Sequence, residues 1–334
     1  MRRIVPDHVG SLLRPDSVKT ARKTFFEDKS ISATDLKKVE DAAIIDVIKM
    51  QEEVGLKAVT DSEQRRSLWH YDFMGGLTGF DLDERQEGVQ FHGMKLRPIY
   101  PTITGKMDFP ADHPMIEHFK FAAAHTKVQP KIPIPGPSCC HFRTAPEDIA
   151  PEEYKDLNVL FADLAKTYAK AVQAFYDAGC RYLQMDEAIK DRLADMKISM
   201  HLCRSNFAST YAAEGAYDLA ADAIFNKTGI DIYFMEYDSE SAGSVEPLKL
   251  LPKGNKRVLP GFITTKTPEL ESLDDLKRKF EEARKYCGIS QLGIAPQCGF
   301  SSTEEGNKIT MDDQCRKLEL VVKTAEAIWG GVDK

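Results

Sequence analysis

The sequence predicts a single (β/α)8 TIM barrel, first because short apolar segments alternate about eight times with longer amphipathic ones. Several short segments are apolar at consecutive positions, which is typical of parallel strands buried on both faces. Alternation of such strands with helices is typical of β/α folds. The predicted strands are 2–9, 57–61, 128–134, 181–186, 197–203, 230–237, 257–264 and 291–297.

The predicted helices carry residues suited to helix ends. The clearest helical patterns cover 34–54, 151–178, 211–226, 271–287 and 311–329. Residues that favour helix starts or follow helix ends support these ranges. Those near the starts are Thr34, Pro151, Ser272 and the pair Met311-Asp312, and those just after the ends are Gly55, Gly179 and Gly288.

One domain explains the chain better than two. The 334 residues would fit either two ordinary domains or one large barrel. No Ser/Gly-rich linker or low-complexity tract divides them, so we predict one catalytic domain over residues 1–334. A polar and aromatic insertion at about 62–110 follows the second strand and contains predicted hairpin strands around 88–105. A loop this long in a compact domain is usually functional.

Composition and charge argue against several classes of partner. The content of 42% hydrophobic and 29% charged residues is that of a soluble globular protein, and no segment approaches the ~20 apolar residues of a membrane helix. No secretory signal opens the chain, so we expect a cytoplasmic protein with no membrane partner. The charge of −7 is spread without a basic block, which argues against nucleic acid. Homo-oligomerisation is left open by the sequence.

The cysteines suggest metal binding or catalysis rather than disulfides. There are seven of them, an odd number, in a chain with no secretory signal. Cys180, Cys287 and Cys315 lie in or beside helical or strand patterns, where we expect small buried thiols.

Polar residues cluster where the predicted strands end. In a barrel these ends form one rim, and barrel active sites lie there. All eight predicted strands end in polar groups, which favours an active site over scattered surface polarity. In chain order the groups are His8–Ser11, Asp61–Glu63, Pro135–Ser138, Gln184–Glu187, His201–Cys203, Glu236–Asp238, Thr265-Lys266 and Gln297–Gly299.

Four rim residues form a candidate zinc site. His201 and Cys203 are two positions apart on a predicted strand, so their side chains share a face. Alone, such a pair is more often buried packing than a metal site. Glu236 and Cys298, from two other strand ends, complete a set of one imidazole, two thiolates and a carboxylate, which selects zinc over magnesium or calcium.

Zinc in this set would activate a thiol. Two thiolates and a carboxylate weaken its Lewis acidity towards water, yet the ion still lowers the pKa of a coordinated thiol. Because the thiolate is the nucleophile, we expect a substrate thiol to be alkylated by a donor held beside it. Displacement of Glu236 by that thiol is a further hypothesis.

The rim motifs resemble those of the cobalamin-independent methionine synthases, specifically their catalytic C-terminal barrel and its short stand-alone relatives. The resemblance spans nearly the whole chain. It rests on His-Val-Gly-Ser at 8–11, Asp-Ser-Glu-Gln-Arg-Arg at 61–66, Gln-Met-Asp-Glu at 184–187, His-Leu-Cys-Arg-Ser-Asn at 201–206, Glu-Tyr-Asp-Ser at 236–239 and Pro-Gln-Cys-Gly-Phe at 296–300. It implies methyl transfer to homocysteine, with zinc bound by His201, Cys203, Glu236 and Cys298.

The same resemblance implies a site for the amino and carboxyl groups of homocysteine, formed by Gly10, Ser11, Glu63 and Asp186. Carboxylates bind an ammonium by charge-assisted hydrogen bonds, and a backbone amide and a hydroxyl serve a carboxylate. The alternative is that Glu63 and Asp186 form structural ion pairs with Arg65, Arg66 or Arg181. Asp238 is expected to support the metal site.

The sequence also departs from the family. We expect no additional N-terminal barrel of the kind that the longer folate enzymes carry, and the resemblance aligns Lys266 with a proton-donating His of those relatives. We take Lys266 and Asp186 as candidate catalytic residues, and methyltetrahydrofolate as donor is in doubt. Three functions stay open: methylation of homocysteine by an uncertain methyl donor, alkylation of another thiol such as coenzyme M, and a non-catalytic zinc- or thiol-binding barrel.

Overall fold

The chain has an α/β fold in a computed structural model that describes residues 6–85, 90–91, 94–95, 99–140, 146–185, 193, 195–210 and 214–330. The α-helices in these ranges are α1 (Asp16–Phe26), α2 (Ala33–Glu53), α3 (Tyr71–Met74), α4 (Pro114–Ala124), α5 (Leu157–Asp177), α6 (Ala221–Asn226), α7 (Leu273–Arg284) and α8 (Met311–Trp329). Each described helix is too short or too polar to span a bilayer.

The strands are short and mostly parallel. They are β1 (Ala58–Val59), β2 (Thr78–Glu84), β3 (Gln90–Phe91), β4 (Met94–Lys95), β5 (Ile99–Asp108), β6 (Gln129–Pro130), β7 (Ile132–Ile134), β8 (Tyr182–Met185), β9 (Lys197–Leu202), β10 (Ile232–Glu236) and β11 (Arg257–Gly261). Short 3-10 helices cover Pro137–Cys140, Pro146–Asp148, Glu152–Lys155, Glu240–Ala242, Glu246–Leu250 and Ile289–Gln291.

Side-chain caps fix the starts of the main helices. Ser32, Asp156, Ser272 and Thr310 each accept a hydrogen bond from a backbone amide in the first turn of α2, α5, α7 and α8. Such caps satisfy amides that have no partner within the helix. The helix predicted at 211–226 is shorter than expected, because residues 214–220 form an irregular segment before α6. Helices α1 and α4 lie outside the five ranges in which the sequence shows the clearest helical pattern.

The parallel strands form one five-stranded sheet with the order β11-β10-β9-β8-β7 and a separate pair, β1-β6. Isolated parallel bridges join Pro6 to Ile294, Val258 to Leu292 and Ile263 to Pro296. Within the described residues, the predicted closed eight-stranded barrel is therefore not confirmed. Prolines supply a physical reason: Pro6, Pro130 and Pro296 lie in the strand segments outside the five-stranded sheet, and each lacks the amide that a continuous ladder needs.

The insertion between 62 and 110 contains antiparallel strands, as predicted. β2 pairs with β5, and the short strands β3 and β4 pair with each other. Phe80, Ile103 and Met107 from this hairpin belong to the same hydrophobic cluster as Leu164 and Phe175 of α5. The insertion is thus packed onto the main body.

A buried ion pair lies beneath the rim. Lys131, between β6 and β7, has its Nζ 2.8 Å from Oδ1 of Asp7, and the hydroxyl of Tyr182 donates to the other oxygen of Asp7 at 2.6 Å. Lys131 Nζ also donates to the carbonyl of His8. This network fixes the segment that leads into Gly10 and Ser11.

Candidate active site

A cavity of about 290 Å³ lies at the carboxyl ends of the parallel strands. Its walls include the ends of β7 and β9 and side chains of the insertion, among them Trp69. The predicted site residues that line it are Ser11, Glu63, His201, Cys203 and Cys298. Residues predicted for two different tasks, metal binding and amino-acid binding, therefore share one cavity.

The structure brings three predicted zinc ligands together. One potential ligand atom from each of His201, Cys203 and Cys298 lies within 4.8 Å of the other two. His201 is paired with Phe234 in the parallel register of β9 and β10, and Cys203 follows two positions later. Because side chains alternate along a strand, His201 and Cys203 point to the same side.

The donor chemistry of this group fits zinc. Ligand distances of about 2.3 Å for sulfur and 2.0–2.1 Å for nitrogen allow two ligands of one ion to be up to about 4.6 Å apart. The group thus needs little adjustment to hold an ion. Imidazole and thiolates are ligands that zinc prefers, and hard cations such as magnesium do not.

The pKa of the buried Cys298 thiol is held well below its ordinary value. The hydrogen bond with Cys203 is the largest cause; burial acts in the opposite direction, and His201 and the hydroxyl of Ser302 lower the pKa further. The thiolate is the form that binds metal. Cys298 is therefore suited to serve as a ligand.

Glu236, the fourth predicted ligand, lies outside the three-donor group. Its Oε1 accepts a hydrogen bond from Nζ of Lys266 at 2.7 Å, and its Oε2 accepts from the backbone amide of Arg204 at 2.6 Å. Nζ of Lys266 also lies 3.1 Å from Oδ2 of Asp238. Burial would lower the Lys266 pKa, but the carboxylates of Asp238 and Glu236 outweigh it and raise the pKa above its ordinary value.

Glu63 presents a carboxylate oxygen to the cavity. Its Oε1 lies 3.5 Å from the Nη1 of Arg66, the ion pair expected as a structural alternative, whereas its Oε2 has no hydrogen-bond partner among the described residues. Burial raises the Glu63 pKa to about 7; Asp61 and Cys298 add to this, while Arg66 and Arg14 oppose it. A buried acid with one oxygen available is suited to bind a cationic group.

Gly10 and Gly299 allow backbone segments around the cavity to pack closely against their neighbours. Gly10 has a positive φ of 140°, and a Cβ there would lie 2.9 Å from Cγ of Pro133. A Cβ on Gly299 would lie only 1.9 Å from Oγ of Ser11. Side chains are therefore excluded at both positions, and Ser11 sits directly against the residue that follows Cys298.

Sequence reasoning missed two cavity residues inside the quoted motifs. Gln184 is the third residue of β8, and Asn206 follows β9; Oε1 of Gln184 and Oδ1 of Asn206 are buried without a hydrogen-bond partner in the described part of the chain. The amide of Asn206 donates to the carbonyl of Gly299 at 2.9 Å. Both residues belong to the motifs at the strand ends, and that position in the sequence could have identified them as cavity residues.

Asp186, predicted for catalysis and substrate binding, lies outside the described residues.

Arg14 is a further missed residue that shapes the site. Its guanidinium donates to the carbonyls of Glu63, Arg66 and Thr303 and to the hydroxyl of Ser301. Glu63 has a positive φ of 59°, a conformation that costs a non-glycine residue about 1–2 kcal/mol. Arg14 therefore holds the strained turn that carries Glu63.

Comparisons with known proteins agree with the motifs. Residues 7–197 and 192–326 match the family model described as cobalamin-independent synthase, catalytic domain. YxjG of Bacillus subtilis (strain 168), an uncharacterized protein, is 39% identical over 360 aligned positions, covering 97% of this chain and 94% of the relative. Methionine synthase of Sulfolobus acidocaldarius is 23% identical over 312 aligned positions, which cover 87% of this chain and 84% of the relative.

Solved structures show the same likeness. A putative vitamin-B12-independent methionine synthase from Listeria monocytogenes is 35% identical, with a TM-score of 0.78 and 99% of both chains covered. A B12-independent methionine synthase from Shewanella sp. W3-18-1, in complex with selenomethionine, shares the fold at 19% identity, with a TM-score of 0.76 and 98% of both chains covered. The chain therefore belongs to the cobalamin-independent methionine synthase family and is a methyltransferase.

Proposed function

We propose that this enzyme methylates the thiol of homocysteine to give methionine and that it uses a zinc ion held by His201, Cys203 and Cys298. One observation carries the proposal: these three potential ligands line the same cavity as Glu63 and Ser11. A molecule with a thiol at one end and amino-acid groups at the other matches that arrangement. The names of the relatives from Sulfolobus and Shewanella, both methionine synthases, support methionine as the product.

A bound zinc ion would supply Lewis acidity that favours the thiolate form of the substrate at neutral pH. The chain's own contribution is the donor set: a neutral imidazole at His201 and thiolates at Cys203 and Cys298. Glu236 stands as a fourth candidate ligand only if its carboxylate leaves Lys266 and the amide of Arg204.

The amino-acid end of the substrate would lie against Glu63 and Ser11. We assign the ammonium to Oε2 of Glu63, with Asp186 as the second carboxylate, and the carboxylate to Ser11 and the backbone at Gly10. The amide oxygens of Gln184 and Asn206 support this assignment, because they are also buried acceptors that lack partners in the described structure. An ammonium offers three donors and no acceptor, so it suits an acceptor-rich cavity.

This pattern favours homocysteine over coenzyme M as acceptor. Coenzyme M carries a sulfonate and no ammonium, so it would leave Oε2 of Glu63 buried and unpaired. Leaving a buried acceptor unsatisfied costs about 1–3 kcal/mol, and more when the group is charged. Homocysteine would satisfy it.

The state of Lys266 bears on the methyl donor. Its ammonium is held between Glu236 and Asp238, with a raised pKa, so it is poorly placed to give a proton to a leaving group. We therefore assign Lys266 to positioning rather than to proton transfer. The amine of methyltetrahydrofolate leaves only when protonated, whereas a sulfonium leaves as a neutral thioether.

We also propose that the strand segments close into a (β/α)8 barrel. The parallel bridges Pro6 to Ile294 and Val258 to Leu292 support a connection from β11 back to the first segment. The backbone hydrogen bond from Leu12 N to Ser62 O, 3.3 Å, ties that segment to the loop after β1.

Removal of a thiolate ligand should abolish tight zinc binding. We expect Cys203→Ser and Cys298→Ser to weaken zinc binding by more than about 100-fold, since changes to residues around a metal ligand already cost about 10–100-fold. Competition with a chelator measures the affinity. Cys315→Ser on α8 is the matched control and should bind zinc as the unaltered protein does; equal zinc affinity in all variants would remove the metal from the mechanism.

Binding of L-methionine should depend on the ionisation of Glu63. Methionine carries the same amino and carboxyl groups but no titrating thiol. The folded pKa of Glu63 is about 7, so the carboxylate that binds the ammonium is scarce at pH 6 and abundant at pH 8. Calorimetry should show affinity rising by up to about tenfold over this range.

The matched control for this titration is Glu63→Gln. It should bind methionine more weakly, with an affinity that changes little between pH 6 and pH 8. An unchanged pH slope in Glu63→Gln would show that another group holds the ammonium.

A donor panel tests the reaction itself. With zinc and homocysteine present, we expect a sulfonium compound or a methylated corrinoid to support turnover about 100-fold faster than methyltetrahydrofolate, because positioned proton transfer is typically worth 10²–10⁴-fold. Initial rates of methionine formation at equal donor concentration provide the measurement. Fastest turnover with methyltetrahydrofolate would contradict the role given to Lys266, and no methionine with any donor would contradict the proposed function.

A further inference from the structure

Trp69 is an aromatic residue in the wall of the cavity that holds the three potential metal ligands. It is half-buried and lines this cavity together with Cys203 and Cys298. The roles proposed for the metal ligands and for the residues that bind the amino acid do not involve Trp69. The apolar side chains that share the described wall with it are Val9, Leu68, Pro133, Ile134, Leu202 and Phe207.

The backbone of Trp69 is held on both sides. Its amide donates to the carbonyl of Ser302 at 3.1 Å, and its carbonyl accepts from Nη1 of Arg66 at 3.3 Å. The indole ring contacts the ring of His70, with 4.4 Å between the ring centroids. The loop that carries Trp69 is thus tied to the segment around Ser302, so the indole is fixed before a ligand binds.

The polar groups of the cavity suit a cation better than an anion. Among the described residues that line it there is no lysine, and Arg66 is the single arginine. Its Nη2 donates to the carbonyl of Pro133 at 2.7 Å, and its Nη1 lies 3.5 Å from Oε1 of Glu63. Both terminal nitrogens of Arg66 are therefore engaged. A methyl donor that carries carboxylates or phosphates would meet no lysine and no unengaged guanidinium terminus in this part of the wall.

The cavity is also small. Its volume of about 290 Å³ lies at the lower end of the range for ligand sites, about 300–1,000 Å³, and part of it has to hold homocysteine. The remaining space has no room for a pterin or a corrin ring. Apolar walls, an aromatic ring and little space suit a compact cation whose surface consists of methyl and methylene groups.

We propose that the methyl donor is a small alkyl sulfonium and that the indole ring of Trp69 holds its positive charge. This inference rests on the proposed function, because it names the donor for that reaction. A cation over the face of an aromatic ring is attracted by the quadrupole of the ring, and tryptophan provides the strongest attraction. The thioether product is neutral, so the ring binds the donor more tightly than the product.

The transfer balances without an acid on the protein. The homocysteine thiol releases its proton when the thiolate forms, and the thiolate sulfur then forms a bond to the methyl carbon. The bond between that carbon and the sulfonium sulfur breaks at the same time. Its electron pair stays on the donor sulfur, which leaves as a neutral thioether and needs no proton. This agrees with the engagement of Lys266 by two carboxylates.

Fluorescence tests the binding site directly. The chain has two tryptophans, Trp69 and Trp329. Trp329 ends α8 and packs against Phe280, away from the residues that line the cavity. In a Trp329→Phe variant the tryptophan emission therefore comes from Trp69 alone. Trimethylsulfonium should change this emission with saturation, and tert-butanol, a neutral molecule of similar size, should compete at least about tenfold more weakly.

Steady-state kinetics test the role of the ring in the reaction. Trp69→Leu keeps an apolar side chain without a ring, and Trp69→Phe keeps a smaller ring. With trimethylsulfonium and homocysteine as substrates, we expect the KM for trimethylsulfonium to rise about tenfold in Trp69→Leu and about threefold in Trp69→Phe. The kcat and the KM for homocysteine should change by less than about twofold, because the lost contact serves donor binding. Trp329→Phe is the matched control and should keep all three constants, and thermal melts establish that each variant is folded.

Two results would overturn the inference. One is trimethylsulfonium that binds no more tightly than tert-butanol or changes the Trp69 emission without saturation. The other is a KM for trimethylsulfonium that is the same in both Trp69 variants as in the unaltered protein. Failure of the proposed function is a different outcome: trimethylsulfonium would bind at Trp69, yet no donor would give methionine from homocysteine. That result would contradict the reaction and support the sulfonium site.

Discussion

The segment from Cys298 to Phe300 is fixed by three contacts, two with Ser11 and one with Asn206, and the geometry of the whole site depends on it. Gly299 packs against Oγ of Ser11 with no room for a side chain, and the amide of Phe300 donates to the carbonyl of Ser11 at 2.8 Å. The carbonyl of Gly299 accepts from Asn206, whose segment also carries Cys203. This packing sets the separation between the proposed metal ligands and the residues assigned to the amino acid.

Around this segment the protein maintains charged groups at a cost in stability. Glu63 is buried, and its pKa is raised to about 7. It lies in a strained turn, and the guanidinium of Arg14 holds that turn by donating to its backbone carbonyls. A carboxylate that is harder to ionise in the folded state than in the unfolded chain lowers stability above the unfolded pKa, and the full penalty is present above pH 7. Perturbed acids of this kind are common at functional sites, where a ligand supplies the missing partner.

Sequence reasoning reached the parts of the site that follow from local periodicity. His201 and Cys203 share a strand face because alternation has a period of two, and the carboxyl ends of parallel strands meet, which joins them to Cys298. The pair formed by Lys266 and Glu236 could not be anticipated in this way. It depends on the direction of side chains from two different strand ends, and the ligand set implied by the family motifs included Glu236.

In the fold, too, local sequence patterns predicted the elements but not the contacts between them. The strand segments and the antiparallel insertion followed from apolar runs and turn-rich stretches, whereas the pairing between strands depends on backbone amides that prolines remove. The helix expected to begin at 211 begins at Ala221, because the preceding segment supplies Tyr217 to the network around Arg204 instead. Helix propensity was overridden there by tertiary hydrogen bonding.

In the proposed reaction the substrate thiol binds a zinc ion held by two cysteines and one histidine. X-ray absorption at the zinc edge, recorded on the zinc-loaded enzyme before and after addition of homocysteine, counts the sulfur atoms bound to the metal. We expect two sulfur donors before addition and three after it. A count that stays at two, with homocysteine shown to be bound, would mean that the thiol does not bind the metal.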